Sequence, residues 1–392
     1  MQHNQPIHVG IAILLAMTMA IGPFALDTFL PAFPAMAVSL GTSVHHISLS
    51  ISVYVFSLAF GQLVAGPLAD RFGRAVVMLS GLGIFAVASL LITWAQNLEE
   101  LLGLRVLQAF GGGWATVCVP AIVRDRLSGN EAARFFSLIG LIMILAPAVA
   151  PSLGSAVLLV WGWRVIFLLL GLYAVAVALL LYFTVFRHHR RSPPADTGLS
   201  AWQRYRAVFA TREALPYMVL QTLCFAAMLL FITHASFIYQ QYYSAGPQFF
   251  ALLFGANIVV MVFANLSNRR LLRYFPPQQI LRWALSIQGV GVLLLVLVSL
   301  FQPRLWLFVP AMMITVGAMG AITPNTQACF MDHFGRNGGT AAALMGATQF
   351  SIAGLISAGS ALLPESVSAI VLAQAACVIP CLALVWLRRR AG

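Results

Sequence analysis

Two ionisable residues, Asp27 and Arg105, lie deep inside long apolar stretches of a chain in which only 8% of the residues are charged. Burying a charge in hydrocarbon is unfavourable, so an ionisable residue in such a stretch is a candidate functional group. Desolvation favours the protonated form of a carboxyl group, whereas a nearby guanidinium favours the ionised form. A carboxyl group under both influences can gain and lose a proton, so the pair predicts a proton-coupling site. The alternative is a static salt bridge that joins two helices.

Helix geometry predicts that these two residues lie at a similar depth. A helix that follows the first apolar run rises about 27 Å before it reaches Asp27. The helix of the fourth run starts from the opposite side, and Arg105 lies about 9 Å from that start. Pro31 and Pro34 follow Asp27, and proline weakens the backbone bonding of the preceding helical turn. We therefore expect the first helix to bend just after Asp27.

Other polar and aromatic residues within apolar runs are candidates for a pocket that binds a small molecule. They are Tyr54, Gln108, Phe231, His234, Phe237, Tyr239, Asn257 and Gln349. A pocket that accepts varied ligands needs adaptable apolar surface and a few polar groups, which these residue types supply. His234 titrates in a range suited to a proton relay, although a buried histidine more commonly bonds a neighbouring carbonyl. Aromatic residues of a membrane bundle more commonly face lipid or pack in the core.

The composition requires membrane-spanning helices to position these residues. Of the 392 residues, 61% are hydrophobic, whereas a soluble domain has roughly a quarter of its residues charged. The apolar runs are long and continuous, which disfavours a β-barrel, whose strands alternate over about ten residues. The runs lie at about 9–37, 47–68, 75–95, 99–122, 133–158, 163–186, 215–240, 248–267, 280–300, 305–328, 339–362 and 366–387. The predicted fold class is an all-α membrane protein with twelve transmembrane helices.

A long polar interval divides the twelve runs into two halves of six. We predict an amino-terminal bundle over residues 1–186, a basic linker over 187–214 and a carboxyl-terminal bundle over 215–392. Two such halves suggest the parallel repeat of secondary transporters, in which a central site is exposed alternately to each side of the membrane. Transport is the leading hypothesis from architecture alone.

The arginines predict the orientation of the chain. It contains 22 arginines and no lysine. Nineteen of the arginines fall in segments on one side of the predicted helices, and only Arg164 and Arg304 lie on the other side. The positive-inside rule therefore predicts that both termini and the linker are cytoplasmic. Topology also accounts for the net charge of +12, so no nucleic-acid partner is expected.

The positions of the tryptophans and cysteines and the composition of the amino-terminal segment allow three further predictions. Six tryptophans near predicted helix ends are expected to anchor them at the membrane surface, namely Trp94, Trp161, Trp163, Trp283, Trp306 and Trp386. The five cysteines lie within apolar runs, form no CxxC pair and are expected to act as small packing residues. The segment Met1–His8 lacks the features of a signal peptide, so we expect the first run to be retained as a helix.

No catalytic or cofactor motif is visible in the sequence. It contains no HExxH, no GxSxG and no phosphate-binding loop. A membrane enzyme or sensor, the alternative from another class, would need such a cluster or a soluble domain. We therefore expect no enzyme activity, no cofactor and no metal, with a proton gradient as the source of energy.

A charged, glycine-containing segment joins the second and third predicted helices. It runs from Gly66 to Arg74 and includes Asp70, Arg71 and Gly73. It resembles the loop motif GxLaDrxGrR/K of the major facilitator superfamily and departs from it at the final basic position. In that family the acidic and basic residues form a cytoplasmic latch, so the resemblance implies a gating role for this segment. The alternative is a plain basic loop, which would not explain the two glycines and the aspartate.

The fourth predicted helix carries a second resemblance to the same family. Its Arg105 and Gln108 are similar to the motif RxxQG, although Ala109 stands at the usual glycine and Gly111–Gly113 follow. In proton-driven members the arginine is associated with proton transfer. Three consecutive glycines also permit close helix packing.

The fifth predicted helix contains glycine, alanine and proline at spacings that resemble the family's antiporter motif gxxxGPxxGG. The residues are Gly140, Ala146, Pro147, Pro151 and Gly154. The resemblance implies export in exchange for protons. A kinked packing helix is the alternative, because small residues four apart are common in membrane helices.

The segment Gly22–Pro34, together with Arg124 and Asp125, resembles the bicyclomycin and chloramphenicol resistance (Bcr/CflA) subfamily of drug:proton antiporters. In the second half the resemblance rests on hydropathy and on residues 332–339. It implies that Asp27 is the protonatable residue and Arg105 its partner.

The resulting hypothesis is proton-coupled efflux of hydrophobic or amphipathic small molecules by a protein of the bacterial inner membrane. Its expected partners are the small-molecule substrate, protons and the lipid bilayer, and a monomer is expected. The alternative is a carrier of the same fold for a metabolite such as a nucleoside, sugar or amino-acid derivative.

Overall fold

The described part of the protein is helical. A computed structural model describes residues 9–126, 129–187, 206, 208–301, 304–334 and 338–387. Within these ranges the chain forms helices and turns and no strand, which confirms the predicted all-α class. Eleven helical segments are long and apolar enough to cross a membrane, and Leu145–Trp161 is a shorter apolar helix at the position of the fifth predicted run. The protein is therefore a multi-pass membrane protein.

Contacts divide the chain into two compact units, Met1–Asp196 and Thr197–Gly392. The division falls inside the interval predicted as the linker, most of which lies outside the described residues. Val208 is buried in an apolar cluster with Met218 and Phe330. The last part of the predicted linker therefore packs on the second unit.

The described part of the first unit contains seven helices. They are α1 (Val9–Asp27), α2 (Phe33–Ser39), α3 (Val44–Phe72), α4 (Arg74–Ile92), α5 (Leu98–Arg126), α6 (Gly129–Trp161) and α7 (Trp163–Leu181), the last continuing in a wider π-helical turn, Tyr182–Phe186. The glycines of α5 bring its backbone against α3 and α4. A Cβ on Gly111 would lie 2.6 Å from the Gly81 carbonyl oxygen, and one on Gly113 would lie 2.6 Å from the Leu58 carbonyl oxygen. This confirms the close packing expected from the three glycines.

The first membrane segment is interrupted, as the prolines predict. Helix α1 ends at Asp27, a single 3₁₀ turn covers Leu30–Ala32, and α2 resumes at Phe33. Proline has no N–H group, so Pro31 leaves the Asp27 carbonyl without the donor that a continuous helix would provide. The interruption therefore places the Asp27 side chain at the end of a helix inside the unit.

Besides the helical residues 206 and 208–210, the described part of the second unit contains seven helices. They are α8 (Leu215–Ser236), α9 (Pro247–Leu271), α10 (Pro277–Phe301), α11 (Leu305–Gly317), α12 (Met319–Met331), α13 (Gly338–Gly359) and α14 (Val367–Leu387). Helices α11 and α12 form one membrane segment that is broken at Ala318. Pro324 deprives the Gly320 carbonyl of its helical donor, and the Asn265 side chain of α9 donates to that carbonyl at 3.0 Å. A neighbouring helix thus satisfies the group that proline frees.

Five of the six tryptophans at predicted helix ends are exposed, as membrane anchors should be. They are Trp94, Trp161, Trp283, Trp306 and Trp386. The prediction is wrong for Trp163, which is only 5% exposed and packs edge-on against Phe167. Its ring is covered by the Arg164 guanidinium, 4.4 Å from the ring centroid. Trp163 therefore belongs to the packed interior.

Arg164 joins the ends of several helices at the arginine-poor side of the first unit. Its Nε donates to the Thr93 carbonyl at 3.0 Å, and its Nη2 donates to the Ala95 carbonyl at 3.2 Å. Its Nη1 donates to the Ser39 hydroxyl oxygen at 3.1 Å. The side chain thus satisfies carbonyls just beyond α4 and contacts the last residue of α2. These groups have no helical donor, so a cation is a suitable partner.

Replacement of Arg164 by glutamine should destabilise the first unit. Arg164→Gln removes three hydrogen bonds from a charged donor, and we expect a loss of about 1 to 3 kcal/mol in unfolding free energy. The apparent Tm of the purified protein should fall by several degrees. Arg304→Gln is the matched control, because Arg304 lies on the same predicted side and its side chain bonds none of the described residues. Equal Tm values for the two variants would contradict the assigned role.

Candidate functional site

The first unit contains a buried polar chain that starts at Arg105 on α5. Arg105 and Gln108 are both fully buried. The Nη1 of Arg105 donates to the Gln108 Oε1 at 2.5 Å, and the Gln108 Nε2 donates to the Ser89 hydroxyl oxygen at 2.7 Å. Ser89 in turn donates to the Phe85 carbonyl at 2.7 Å. The guanidinium is therefore held from one side by a chain that crosses from α5 to α4.

Aromatic rings enclose the rest of the Arg105 guanidinium. Its Cζ lies 4.2 Å from the ring centroid of Tyr54, 4.5 Å from that of Phe29 and 5.9 Å from that of Phe167. A desolvated cation over an aromatic face gains about 2 kcal/mol. The rings come from α3, the break after α1, and α7, so three separate segments must pack correctly to form this enclosure.

Asp27 is linked to this enclosure only through the nearby Phe29 of the same segment, and it forms no ion pair with Arg105. Phe29, two residues beyond Asp27, touches the guanidinium, which is consistent with the predicted shared depth. Asp27 is 4% exposed, and its Oδ1 has no hydrogen-bond partner among the described residues. An ion pair between the two residues is therefore not formed, although two nitrogens of the guanidinium remain unused. The roles predicted for the two residues remain predictions.

Several polar atoms of this cluster keep unused hydrogen-bonding capacity. In the described part of the chain, the Nε and Nη2 of Arg105 and the hydroxyl of Tyr54 have no hydrogen-bond partner, as is also true of the Asp27 Oδ1. Buried polar groups are nearly always paired, so an unpaired group needs an explanation. A buried carboxyl group and a buried guanidinium that both have free hydrogen-bonding sites are suited to proton exchange or to a polar ligand. A cluster of three or more metal-ligating side chains is absent from the ranges described.

The predicted gating segment lies at the junction of α3 and α4. Gly73 has a φ of +94°, a backbone conformation that favours glycine, whereas a Cβ on Gly66 would meet open space. The Nη1 of Arg74 donates to the Ala121 carbonyl of α5. Arg71 lies over the Phe72 ring at 5.3 Å. The Asp70 side chain lies outside the described part, so the latch remains a prediction.

The predicted antiporter segment lies in α6, where its last glycine touches the break in the first membrane segment. A Cβ on Gly154 would clash with the Thr28 carbonyl oxygen, so only glycine permits this approach. Ala146 and Pro151 are buried, and Pro147 is half-buried. The surroundings of Gly140 lie outside the described side chains. The motif thus has a clear packing role at Gly154, next to the residue that follows Asp27.

In the second unit, several of the predicted pocket residues form a buried aromatic cluster. The ring of Phe231 stacks on Phe254 at 5.8 Å and meets Tyr239 edge-on at 6.1 Å. Phe237 is also buried. Asn257 donates to the Leu253 carbonyl of its own helix at 2.9 Å. These residues are packed within the unit, and their predicted contact with a ligand stays a prediction.

Two further predicted pocket residues lie in a polar seam that joins α8 to α13 and to the 3₁₀ turn Ser360–Leu362 after it. The His234 Nε2 and the Ser360 hydroxyl are 2.7 Å apart, and the Gln221 Nε2 donates to the Gln349 Oε1 at 3.1 Å. Both interactions join side chains that are more than 100 residues apart in the chain. The seam gives both residues a role in joining helices.

Sequence reasoning missed three groups that complete the Arg105 enclosure. Ser89 receives the hydrogen bond from Gln108, and Phe29 and Phe167 provide aromatic faces. The polar Ser89 within an apolar run was a weak signal. Nothing in the local sequence distinguishes Phe29 or Phe167 from the other phenylalanines.

Comparisons with known proteins agree on family. The signature of the Major Facilitator Superfamily matches residues 12–358. A bicyclomycin resistance protein homolog of Haemophilus influenzae is 28% identical over 93% of this chain and 92% of its own length. A chloramphenicol resistance protein of Pseudomonas aeruginosa is 30% identical over 82% and 78%, respectively. These similarities confirm the subfamily resemblance that the motifs predicted.

Shape comparison agrees on the fold. The crystal structure of a D-xylose-proton symporter superposes with a TM-score of 0.78 and covers 96% of this chain and 97% of its own. The two sequences are 15% identical, so this likeness concerns the fold alone.

Substitution of Gly154 should disturb the packing of α6 on the first membrane segment. The methyl group of Gly154→Ala would overlap backbone atoms of Thr28, which cannot rotate away as a side chain can. We expect a loss of about 1 to 3 kcal/mol or more, measured as a lower apparent Tm or poor recovery of monodisperse protein. Gly83→Ala is the control, because its Cβ would meet open space. A Gly154→Ala protein as stable as the control would contradict the contact.

Proposed function

This chain belongs to the Major Facilitator Superfamily, and we propose that it exports hydrophobic or amphipathic small molecules in exchange for protons. Members of the family are transporters of small molecules rather than enzymes, and this chain is one of them. The names of similar proteins, which include bicyclomycin and chloramphenicol resistance and multidrug resistance, support drug-like substrates. The resemblance of α6 to the antiporter motif supports export.

The buried Asp27 carboxyl, two residues before the Phe29 ring that touches Arg105, carries this proposal. A charged carboxylate in an apolar interior needs a cation or several hydrogen-bond donors, whereas a protonated carboxyl does not. Asp27 has no ion-pair partner in the described part of the chain, an arrangement suited to the protonated form. Arg105 has unused donors on Nε and Nη2. The two residues thus have the means to meet when Asp27 loses its proton.

In the proposed cycle, Asp27 is ionised when the substrate enters from the cytoplasm. A proton from the opposite side then neutralises Asp27, which favours substrate release and return of the empty transporter. Arg105 holds the ionised carboxylate and returns to Gln108 and the aromatic rings when the carboxyl is neutral. In each state the guanidinium then has either the carboxylate or an amide and aromatic faces as partners, which limits the desolvation cost in both.

The remaining assignments follow from the same proposal. The segment Gly66–Arg74 gates the cytoplasmic side, and the motif of α6 favours export in exchange for protons. The protein resides in a bacterial inner membrane with both termini in the cytoplasm, as the arginine distribution predicts. It works as a monomer by alternating access of its two halves.

A carrier for a metabolite of the same fold is the alternative function. Such a carrier would need several polar groups that face its ligand. The predicted pocket residues His234 and Gln349 instead bond neighbouring helices, which favours the drug exporter.

Asp27→Asn should abolish proton-coupled efflux and leave the fold intact, because asparagine has nearly the same shape but cannot release a proton. The measurement is dye and drug movement in proteoliposomes with an imposed pH gradient, for a panel of lipophilic drugs and for sugars and nucleosides. Wild-type protein should move at least one lipophilic compound only when the gradient is present.

Glu99→Gln is the control for this experiment, because Glu99 is an exposed carboxylate of the same unit. It should transport as wild type does. Gradient-driven efflux by Asp27→Asn at the wild-type rate would refute the role of Asp27. Movement of a sugar or nucleoside, and of no drug, would favour the metabolite carrier.

Arg105→Lys tests whether the guanidinium shape matters in addition to its charge. Lysine keeps the positive charge but lacks the flat group that stacks between Tyr54 and Phe29 while it bonds Gln108. Loss of a desolvated cation–π contact of about 2 kcal/mol corresponds to a decrease in coupled transport of about tenfold or more. Transport assays on folded protein measure this decrease. Wild-type activity in the lysine variant would show that the positive charge alone suffices.

A further inference from the structure

A surface cavity of the second unit lies at the arginine-rich ends of α10 and α14. Its volume is about 390 Å³, and it is lined by Pro276, Gln278, Gln279, Arg282, Trp283 and Trp386. Helix α10 begins here and α14 ends here. The cavity therefore lies where the chain leaves the apolar region. The transport hypothesis makes no use of it.

The polar side of this cavity suits an anion. Arg282 is half-buried, and its guanidinium bonds none of the residues that the structure describes. The side-chain amides of Gln278 and Gln279 add neutral donors beside it. The sequence contains no acidic residue between Glu213 and Asp332 and none after Glu365. An anion at Arg282 would therefore meet no negative charge from the local sequence on either helix.

The surrounding segments strengthen the positive potential. Arg269 and Arg270 end α9, Arg273 follows in the connecting turn, and all three are exposed. Three consecutive arginines, 388–390, follow α14 in the sequence. The exposed arginines of α9 and of the turn after it attract anionic lipids at a membrane surface.

The apolar side of the cavity favours a ligand with hydrocarbon chains. Trp283 and Trp386 are 38% and 45% exposed, and indole rings prefer the level of lipid headgroups. Phe275 packs on Trp283 with ring centroids 4.8 Å apart. Further along α10, Ile287 and Val290 are more than half exposed, so an apolar surface continues from the cavity. A free phosphate ion would make no use of these groups.

We propose that this cavity binds the headgroup of an anionic phospholipid. Its phosphate accepts hydrogen bonds from Arg282 and the two glutamines, its glycerol region lies against the two indoles, and its acyl chains follow the exposed side of α10. The bound lipid neutralises Arg282. The proposal goes beyond the transport function and holds whichever substrate the protein carries.

Native mass spectrometry of the full-length, delipidated protein tests this proposal. Phosphatidylglycerol and phosphatidylethanolamine are titrated separately into the protein. Inorganic phosphate is then added in competition with bound phosphatidylglycerol. Wild-type protein should retain phosphatidylglycerol in preference to the zwitterionic lipid, and inorganic phosphate should not compete. Arg282→Gln should weaken the retained adduct by about tenfold, because a charged hydrogen bond is lost.

Arg273→Gln is the matched control, because it removes the same charge from the adjacent turn but not from the cavity lining. It should keep most of the wild-type affinity. Equal losses in both variants would show diffuse attraction to a basic surface and overturn the site. Equal retention of both lipids, or displacement by inorganic phosphate, would also overturn it.

A second measurement tests the proposal with a conservative substitution, in case Arg282→Gln does not fold. Quenching of tryptophan fluorescence by bromine-labelled phosphatidylglycerol should decrease in Trp283→Phe, a change that keeps an aromatic ring in place. The Trp306→Phe variant changes an exposed tryptophan near the opposite end of α10 and is the comparison. If wild-type quenching by the anionic lipid does not exceed quenching by bromine-labelled phosphatidylethanolamine, the proposal is wrong.

Discussion

The burial of the Arg105 guanidinium is the constraint on which the first unit depends. A buried charge without partners is costly, so the surrounding helices must bring hydrogen-bond acceptors and aromatic faces to it. Gln108 comes from the next turn of the same helix, whereas Tyr54 must come from α3. That contact requires α3 and α4 to approach α5 closely, which Gly111 and Gly113 permit. The glycines therefore permit the close packing of the helices and, through it, the contact between Tyr54 and the Arg105 guanidinium.

Prolines in the membrane segments leave backbone carbonyl groups without the hydrogen bonds that a continuous helix would give them. Pro31 ends the bonding of α1 at Asp27, and Gly154 of α6 lets a neighbouring backbone reach the break. In the second unit Pro324 frees the Gly320 carbonyl, and Asn265 satisfies it. Gly154 gives the first break space, whereas Asn265 gives the freed carbonyl of the second unit a hydrogen bond. Because a freed backbone group is unfavourable in an apolar interior, Pro324 and Asn265 must occur together.

Charged residues in the interior of the first unit and on the surface of the second unit fit different roles. Inside the first unit, Asp27 and Arg105 retain unused hydrogen-bonding capacity, which suits a site that changes its protonation state. At the arginine-rich surface of the second unit, Arg282 and its neighbours meet no acidic residue in the local sequence. The first arrangement fits coupling to protons, and the second fits attachment to an anionic membrane surface.

The sequence by itself determined the helical class, the membrane spans and the bend after Asp27. These features depend on the length of apolar runs and on the missing N–H of proline, which act within one stretch of chain. Only the tertiary structure decided that Arg105 bonds Gln108 and not Asp27, that Trp163 is buried, and that His234 meets Ser360. Those contacts depend on how each helix is rotated against helices far away in the sequence. The helices of this chain are apolar on nearly every face. Their sequences therefore contain no clear periodic pattern that would fix the rotation of each helix.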